Sequence, residues 1–107
     1  MNSLSSHVLD TTTGKPACDM TITLTTPDGS KIVSKTNTDG RCKDWGLTLF
    51  SAGDYCLRFH CKEYLHATHG ESFYPFVDIH FEISEDGGHY HVPLLISPYG
   101  FSSYRGS

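Results

Sequence analysis

The feature that most constrains the fold is the alternation of apolar and polar residues over short segments. Such alternation runs through Met20-Thr21-Ile22-Thr23-Leu24-Thr25, and residues 77–83 alternate in the same way. Because successive side chains of a β-strand point to opposite faces of a sheet, this period of two is typical of a strand buried on one face. Further strands are predicted at residues 7–10, 31–36, 55–61, 90–96 and 101–104.

Turn-forming residues separate the predicted strands. Pro27-Asp28-Gly29 predicts a tight hairpin, and turns are also predicted at Gly53-Asp54 and Asp86-Gly87-Gly88. Residues 37–42, Asn-Thr-Asp-Gly-Arg-Cys, form another turn-rich segment. This segment is expected to carry Arg41 on a loop, which is where proteins often hold their binding groups.

One short segment is predicted to be helical. It covers residues 62–68, and Gly70 is expected to end it. About seven or eight short strands separated by turns predict an all-β sandwich or barrel. The 107 residues are interpreted as a single domain, 1–107, because a second hydrophobic core would leave both halves too small to be stable.

Charge and hydropathy exclude several classes of partner. The formal net charge is −4 with the seven histidines neutral, and no basic stripe is present, so neither a nucleic acid nor an anionic membrane is an expected partner. No apolar run approaches the roughly 18 residues that cross a bilayer, and residues 1–6 do not resemble a signal peptide. We expect a cytoplasmic protein. The peroxisome stays open, although Arg105-Gly106-Ser107 is not the Ser-Lys-Leu signal.

The four cysteines are interpreted as reduced thiols without a functional role, since no pair has C-x-x-C spacing. Cys61 falls on the apolar face of its segment and Cys56 on the opposite face. These two are therefore expected to be a core thiol and an inert surface thiol.

Two histidines stand two residues apart near the carboxyl end of the chain. His89 and His91 point the same way if the segment is a strand. Three interpretations stay open for such a pair: a solvated rim, part of a zinc site completed by His7 or His60, or an acid and base pair.

Other polar residues carry little information singly. His7 opens a predicted edge strand, Arg41 is a charge on a loop, and Tyr104 is an aromatic residue with a hydroxyl group. Each has an ordinary surface or packing interpretation. The remaining histidines are interpreted as surface residues: His60, His66, His69 and His80.

Three separated motifs together resemble one known family. They are residues 6–17, residues 38–42, and residues 89–107 with the terminal Tyr104-Arg105-Gly106-Ser107. In that order they resemble the 5-hydroxyisourate hydrolases, the enzyme relatives of transthyretin, over essentially the whole chain. The resemblance implies a transthyretin-like β-sandwich of two four-stranded sheets. It also implies a homotetramer, a dimer of dimers, with active sites in the channel between the dimers.

The resemblance also implies a reaction and its site. The reaction opens the ring of 5-hydroxyisourate to 2-oxo-4-hydroxy-4-carboxy-5-ureidoimidazoline in urate (purine) degradation, with no metal or cofactor. The substrate-binding positions of the family match His7, Arg41 and Tyr104. Our hypothesis is that His7 and His91 hold and deprotonate water, Arg41 polarises or orients the ring, and Tyr104 and Ser107 supply hydrogen bonds.

Two other functions remain as alternatives. A thyroid hormone carrier of the transthyretin type has the same fold, but a channel that holds His7, Arg41 and His91 is too polar for an iodinated aromatic ligand. A zinc-dependent hydrolase that uses His7, His89 and His91 is the other alternative.

An apolar strip at Pro93 and Leu95 beside the histidines favours burial against other subunits.

Overall fold

The computed structural model describes residues 2–106. In this part of the chain nine strands form two sheets, and one helix follows the sixth strand. The elements are β1 (Ser3–Asp10), β2 (Lys15–Pro16), β3 (Thr21–Thr25), β4 (Lys31–Lys35), β5 (Arg41–Cys42), β6 (Gly53–Phe59), α1 (Cys61–His69), β7 (Val77–Ile83), β8 (His89–Ser97) and β9 (Gly100–Ser103).

The two sheets have different strand arrangements. The first has the order β2-β1-β8-β9, and β5 also pairs with β1. Within it β1 and β8 are parallel along their length, from the pair Ser3 and His89 to the pair Asp10 and Ile96. The second sheet has the order β4-β3-β6-β7 and is antiparallel throughout. The predicted sandwich of two sheets is therefore confirmed. The second sheet has the expected four strands, whereas the first has five because the two-residue strands β2 and β5 both pair with β1.

Two sequence predictions about turns were wrong. Arg41 lies in β5 rather than on a loop, because the chain after the 37–40 turn pairs with β1 through Ser6 and His7. Gly53 and Asp54 do not form a turn. They open β6 and pair with the end of β7.

Alternation along β1 and β8 determines which side chains are buried. Ser6 and Val8 of β1 are fully buried between the sheets, whereas the residues next to them point outward. Leu94 and Ile96 of β8 are fully buried in the same way. The hydrophobic core draws on both sheets and the helix. Its fully buried members include Val8, Ile22, Leu24, Leu57, Phe59, Cys61, Leu65, Leu94 and Ile96.

Helix α1 is close to the predicted segment. It buries Cys61 and Leu65 against the core and ends at Gly70, which adopts a left-handed conformation with φ of 77°. Glycine suits this position because it has no Cβ atom to clash there. No helix within residues 2–106 has the length and hydropathy needed to cross a membrane.

A buried carboxylate ties α1 to the first sheet. Asp10 is fully buried at the end of β1. It accepts hydrogen bonds from His69 Nε2 and the Tyr64 hydroxyl, both at 2.7 Å, and from the backbone N–H groups of Thr12 and Thr13. The interpretation of His69 as a surface residue was therefore wrong, because its imidazole packs inward to satisfy this carboxylate.

Replacing Asp10 with asparagine is expected to lower the free energy of unfolding by about 1.5–3 kcal/mol, the usual range for hydrogen bonds to a charged group. The amide keeps the shape but loses the charge, and its NH2 group is a donor where the site offers donors. Urea unfolding at pH 7 measures the change. The matched control is Asp54→Asn, since Asp54 is exposed in β6. Equal stability of the Asp10→Asn variant and the parent protein would contradict this prediction.

The stabilisation that Asp10 provides is expected to depend on pH. Burial alone would raise the pKa of Asp10, but the hydrogen bonds from His69, Tyr64 and the two backbone N–H groups outweigh it and lower the pKa below the ordinary 3.8. A lowered pKa means that the stabilisation is fully present above pH 3.8 and is lost as the pH falls through the folded-state pKa. The stability difference between parent and variant should therefore narrow below pH 3.8.

Candidate active site

The outer face of β1 and β8 gathers polar side chains from both ends of the chain. The residues that alternate with the buried ones in these strands point away from the second sheet. The parallel register then sets them side by side. The neighbouring pairs on this outer face are Ser3 with His89, Ser5 with His91, and His7 with Pro93.

Strand β5 adds Arg41 to this face. Arg41 pairs directly with His7, and Asn37 holds the preceding turn by accepting the Arg41 N–H group through its Oδ1 atom. Gly40 has φ of 74°, and a Cβ atom there would lie 2.6 Å from the carbonyl oxygen of Val8. Only glycine therefore lets the turn pack this closely on β1.

The tautomer of His7 follows from its hydrogen bond. His7 Nε2 lies 3.0 Å from the backbone oxygen of Asp39. A carbonyl oxygen can only accept, so Nε2 must carry the hydrogen. In the neutral imidazole the Nδ1 atom of His7 is then the one that can accept a proton or a hydrogen bond.

The carboxyl-terminal segment lies along the other side of β8. The Gly106 N–H group donates to the carbonyl oxygen of His91 at 2.7 Å, as an antiparallel bridge. Ser103 Oγ donates to the carbonyl oxygen of Pro93 at 2.7 Å. Tyr104 follows directly and is 60% exposed. Ser107, which the sequence analysis assigned to catalysis, lies outside the described residues.

Arg105 anchors this terminal segment. Its Nη2 atom donates to the carbonyl oxygens of Gly87 at 3.0 Å and His89 at 3.2 Å. Its guanidinium group also lies over the ring of Tyr90, 4.1 Å from the ring centre. These contacts hold the segment after β9 in register with the start of β8.

The pKa of His91 is lowered from its ordinary 6.5. Burial is the main cause, and the electrostatic effects of Arg41, His7 and His89 add to it. His91 is only half-buried, so the ring is both accessible and neutral at pH 7. A neutral imidazole with a free ring nitrogen is suited to accept a proton from water.

The contact between Gly106 and His91 permits a specific prediction. A Cβ atom at Gly106 would lie 2.5 Å from His91 Cδ2 and 3.1 Å from Cγ. The ring would have to shift, so Gly106→Ala is expected to lower kcat about tenfold, since displacements near 1 Å cost up to about 10²-fold. Gly100→Ala is the matched control, because its Cβ atom would meet only Ser97 Oγ at 3.6 Å. A Gly106→Ala variant with the parent kcat would contradict the prediction.

Two residues of this face were not predicted from the sequence. Ser3 and Ser5 contact His89 and His91 through side-chain hydrogen bonds, but the predicted first strand began only at His7. The signal that would have found them is the alternation of Ser3, Leu4 and Ser5, which continues the strand towards the amino terminus.

The site is not enclosed within one chain. A cavity of about 750 Å³ lies at the edge between β7 and β9. Its lining includes Tyr104 and Arg105 but not His7, Arg41 or His91. Arg41 is exposed on the outer face of β1 and β8, and His7 and His91 are half-buried there.

The geometry does not favour the zinc alternative. Among residues 2–106, the one group of three potential ligands with atoms within 4.8 Å of each other is Cys56, Asp78 and His80. This group lies on β6 and β7 of the second sheet. His7, His89 and His91 do not form such a group.

Comparison with known proteins gives consistent matches. The model of the HIUase/Transthyretin family matches residues 4–106. The chain is 48% identical to the 5-hydroxyisourate hydrolase of Mesorhizobium japonicum over 116 residues, which covers 97% of this chain and 91% of that protein. The solved structure of Klebsiella pneumoniae 5-hydroxyisourate hydrolase matches with a TM-score of 0.87 at 38% identity, over 100% of this chain and 94% of that one.

A transthyretin structure matches equally well in shape. Transthyretin from Sparus aurata has a TM-score of 0.87 at 25% identity, over 97% of this chain and 96% of that one. The backbone therefore does not separate a 5-hydroxyisourate hydrolase from a transthyretin. Sequence identity does separate them, because it is 38–48% to the two hydrolases and 25% to this transthyretin.

Proposed function

The chain belongs to the HIUase/Transthyretin family and acts as a 5-hydroxyisourate hydrolase, and we propose that it binds and opens this substrate on the outer face of β1 and β8. The observation that carries the proposal is the gathering of His7, Arg41 and His91 on one sheet face from three distant parts of the sequence. The transthyretin-type carrier function is less supported because identity to transthyretin is lower.

In the proposed reaction, His91 and His7 act as the bases. The oxygen of a water molecule forms a bond to a ring carbonyl carbon while its proton passes to the neutral imidazole of His91. His7 has Nε2 committed to Asp39, so its Nδ1 atom is suited to hold the same water. The C–N bond of the ring then breaks, and the leaving nitrogen takes the proton back from the His91 imidazolium.

The other predicted site residues stabilise charge and hold the substrate. Negative charge develops on the carbonyl oxygen during attack, and the guanidinium group of Arg41 is suited to receive it. Tyr104 is exposed beside β8 and is suited to donate a hydrogen bond to the substrate. We assign a similar role to Ser107. The product is 2-oxo-4-hydroxy-4-carboxy-5-ureidoimidazoline.

We further propose that the active form is a homotetramer, arranged as a dimer of dimers. The support is that a small substrate on an open sheet face would remain largely in water, whereas binding sites enclose most of a ligand. A facing subunit would enclose it. Leu95 is half-exposed on this face. Pro93, which was expected to form an apolar strip with Leu95 for burial against other subunits, is already buried within its own chain. A monomer by light scattering at micromolar concentration would contradict the tetramer.

The test is a direct assay with freshly generated 5-hydroxyisourate. Addition of the protein is expected to accelerate the ultraviolet absorbance decay of the substrate, at the same rate with and without a chelator. Heat-denatured protein is the control. A decay no faster than with denatured protein, combined with saturable thyroxine binding, would favour the carrier function instead.

A further inference from the structure

Four side chains form a continuous hydrogen-bonded chain across β1 and β8. Ser3 Oγ lies 2.6 Å from His89 Nδ1, and His89 Nε2 lies 3.0 Å from Ser5 Oγ. Ser5 Oγ in turn lies 2.7 Å from His91 Nδ1. The members alternate between the two parallel strands, and both nitrogens of the His89 ring are engaged. The arrangement leads from an exposed end at Ser3 and His89 to the half-buried His91.

The four groups can be satisfied in two ways. A neutral imidazole has one donor and one acceptor nitrogen, and each hydroxyl group donates once. In the first arrangement His91 Nδ1–H donates to Ser5, Ser5 to His89 Nε2, and His89 Nδ1–H to Ser3. In the second arrangement all three hydrogen bonds run the other way: Ser3 donates to His89 Nδ1, His89 Nε2–H to Ser5, and Ser5 to His91 Nδ1. Only the first leaves His91 Nε2 as an acceptor, which is the state that a base requires.

We propose that Ser5 and His89 are positioning residues that fix the His91 ring and carry a proton between its Nδ1 atom and solvent. This inference rests on the proposed function. After the leaving nitrogen has taken the first proton back, His91 Nε2 takes the second proton from the new carboxyl group. His91 Nδ1–H then passes to Ser5, the Ser5 proton to His89 Nε2, the His89 Nδ1 proton to Ser3, and the Ser3 proton to water. One proton enters at Nε2, one leaves at Ser3, and the first arrangement becomes the second. When the product has left, loss of the Nε2 proton to water and uptake of a proton at Ser3 restore the first arrangement.

The reaction releases a proton that this hydrogen-bonded chain of side chains can carry to solvent. Ring opening consumes one water molecule, whose two protons go to the leaving nitrogen and to the new carboxyl group. A carboxyl group is ionised at pH 7, and the leaving nitrogen, which becomes part of a ureido group, is not basic enough to hold an extra proton. One proton must therefore leave the site in each turnover. The hydrogen-bonded chain offers a route that does not pass through the bound substrate.

The decisive variants are Ser5→Ala and His89→Ala. Each is expected to lower kcat by about 10–100-fold, the range found when the hydrogen-bond partner that orients a metal-bound histidine is removed, and to change KM less than twofold. Ser30→Ala is the matched control, because Ser30 is an exposed serine in the hairpin between β3 and β4 of the second sheet. None of the three side chains lies in the hydrophobic core, so thermal unfolding midpoints should stay within about 2 °C of the parent.

Chemical rescue separates the relay from a structural role. His89 is exposed, so free imidazole can enter the space left in His89→Ala and is expected to restore at least several-fold of the lost kcat. The parent protein and Ser5→Ala should not respond. A kcat within twofold of the parent for both variants, or a loss in His89→Ala that imidazole does not restore, would overturn the inference.

Failure of this inference is distinguishable from failure of the proposed function. If the proposed function is wrong, the parent protein does not accelerate the decay of 5-hydroxyisourate. If only the inference is wrong, the parent is active and His91→Ala is impaired, while Ser5→Ala and His89→Ala match the parent.

Discussion

Replacing His91 with alanine is expected to lower kcat for 5-hydroxyisourate by at least about 10²-fold, the usual contribution of a general base. The imidazole is half-buried, and burial, together with the charge of Arg41 and the nearby imidazoles of His7 and His89, keeps its pKa below 6.5. It is therefore neutral and able to accept a proton at pH 7. The core should not be affected, because the side chain points away from the second sheet.

The measurement is initial-rate kinetics with freshly generated substrate, paired with thermal unfolding to show that the variant is folded. His66→Ala is the matched control, since His66 is an exposed histidine of α1 and is not part of the outer face of β1 and β8. It should retain the parent kcat. A His91→Ala protein that turns over substrate at close to the parent rate would remove His91 from the proposed mechanism.

The lowered pKa also predicts the pH profile of the parent. The base must be neutral, so activity falls when His91 becomes protonated. Because burial and the electrostatic effects of Arg41, His7 and His89 lower the pKa of His91, half-maximal kcat/KM on the acidic side should lie below pH 6.5. A histidine with its ordinary pKa would already lose half its activity at that pH.

Strand positions could be predicted where the alternation of apolar and polar residues was strict, but they were missed where it was weak. Residues 77–83 alternate without exception, and the observed β7 has the same bounds. The first strand was predicted to begin at His7, although it begins at Ser3, because serines do not look apolar even when buried. Ser6 is fully buried and donates to the carbonyl oxygen of Val92, so a hydrogen bond replaces hydrophobicity at that position.

The buried Asp10 could not be predicted from composition. An aspartate after an apolar stretch is typical of a turn, and Asp10 does hold the Thr12 and Thr13 N–H groups in that way. Its second oxygen is satisfied by Tyr64 and His69 of α1. Such a pairing depends on tertiary packing, which no local pattern records.

The candidate site could be predicted only in part, because it too depends on tertiary packing. The shared face of His89 and His91 followed from their spacing, and both do point outward from β8. That His7 lies diagonally across from His91 depends on the parallel pairing of β1 with β8, which joins the two ends of the chain. The residues alone left three interpretations of the histidine pair, and the family resemblance was needed to choose among them.

Arg41 gives the second large prediction. Arg41→Met keeps most of the side-chain length but removes the charge, and it is expected to lower kcat by about 10²–10³-fold, as the loss of one donor to a developing oxyanion does. It should also shift the acidic limb of the pH profile upward, because the charge of Arg41 helps to lower the pKa of His91. The structural change should be small, since Arg41 is exposed and Asn37 holds its backbone N–H group.

Lys35→Met is the control for loss of a positive charge, since Lys35 is exposed in β4 of the second sheet. It should leave both kcat and the pH profile at parent values. The two effects of Arg41→Met test different roles. A lower kcat with an unchanged acidic limb would mean that Arg41 acts on the substrate alone. An upward shift without a fall in kcat would mean that its charge acts only through His91, and parent values for both would remove Arg41 from the site.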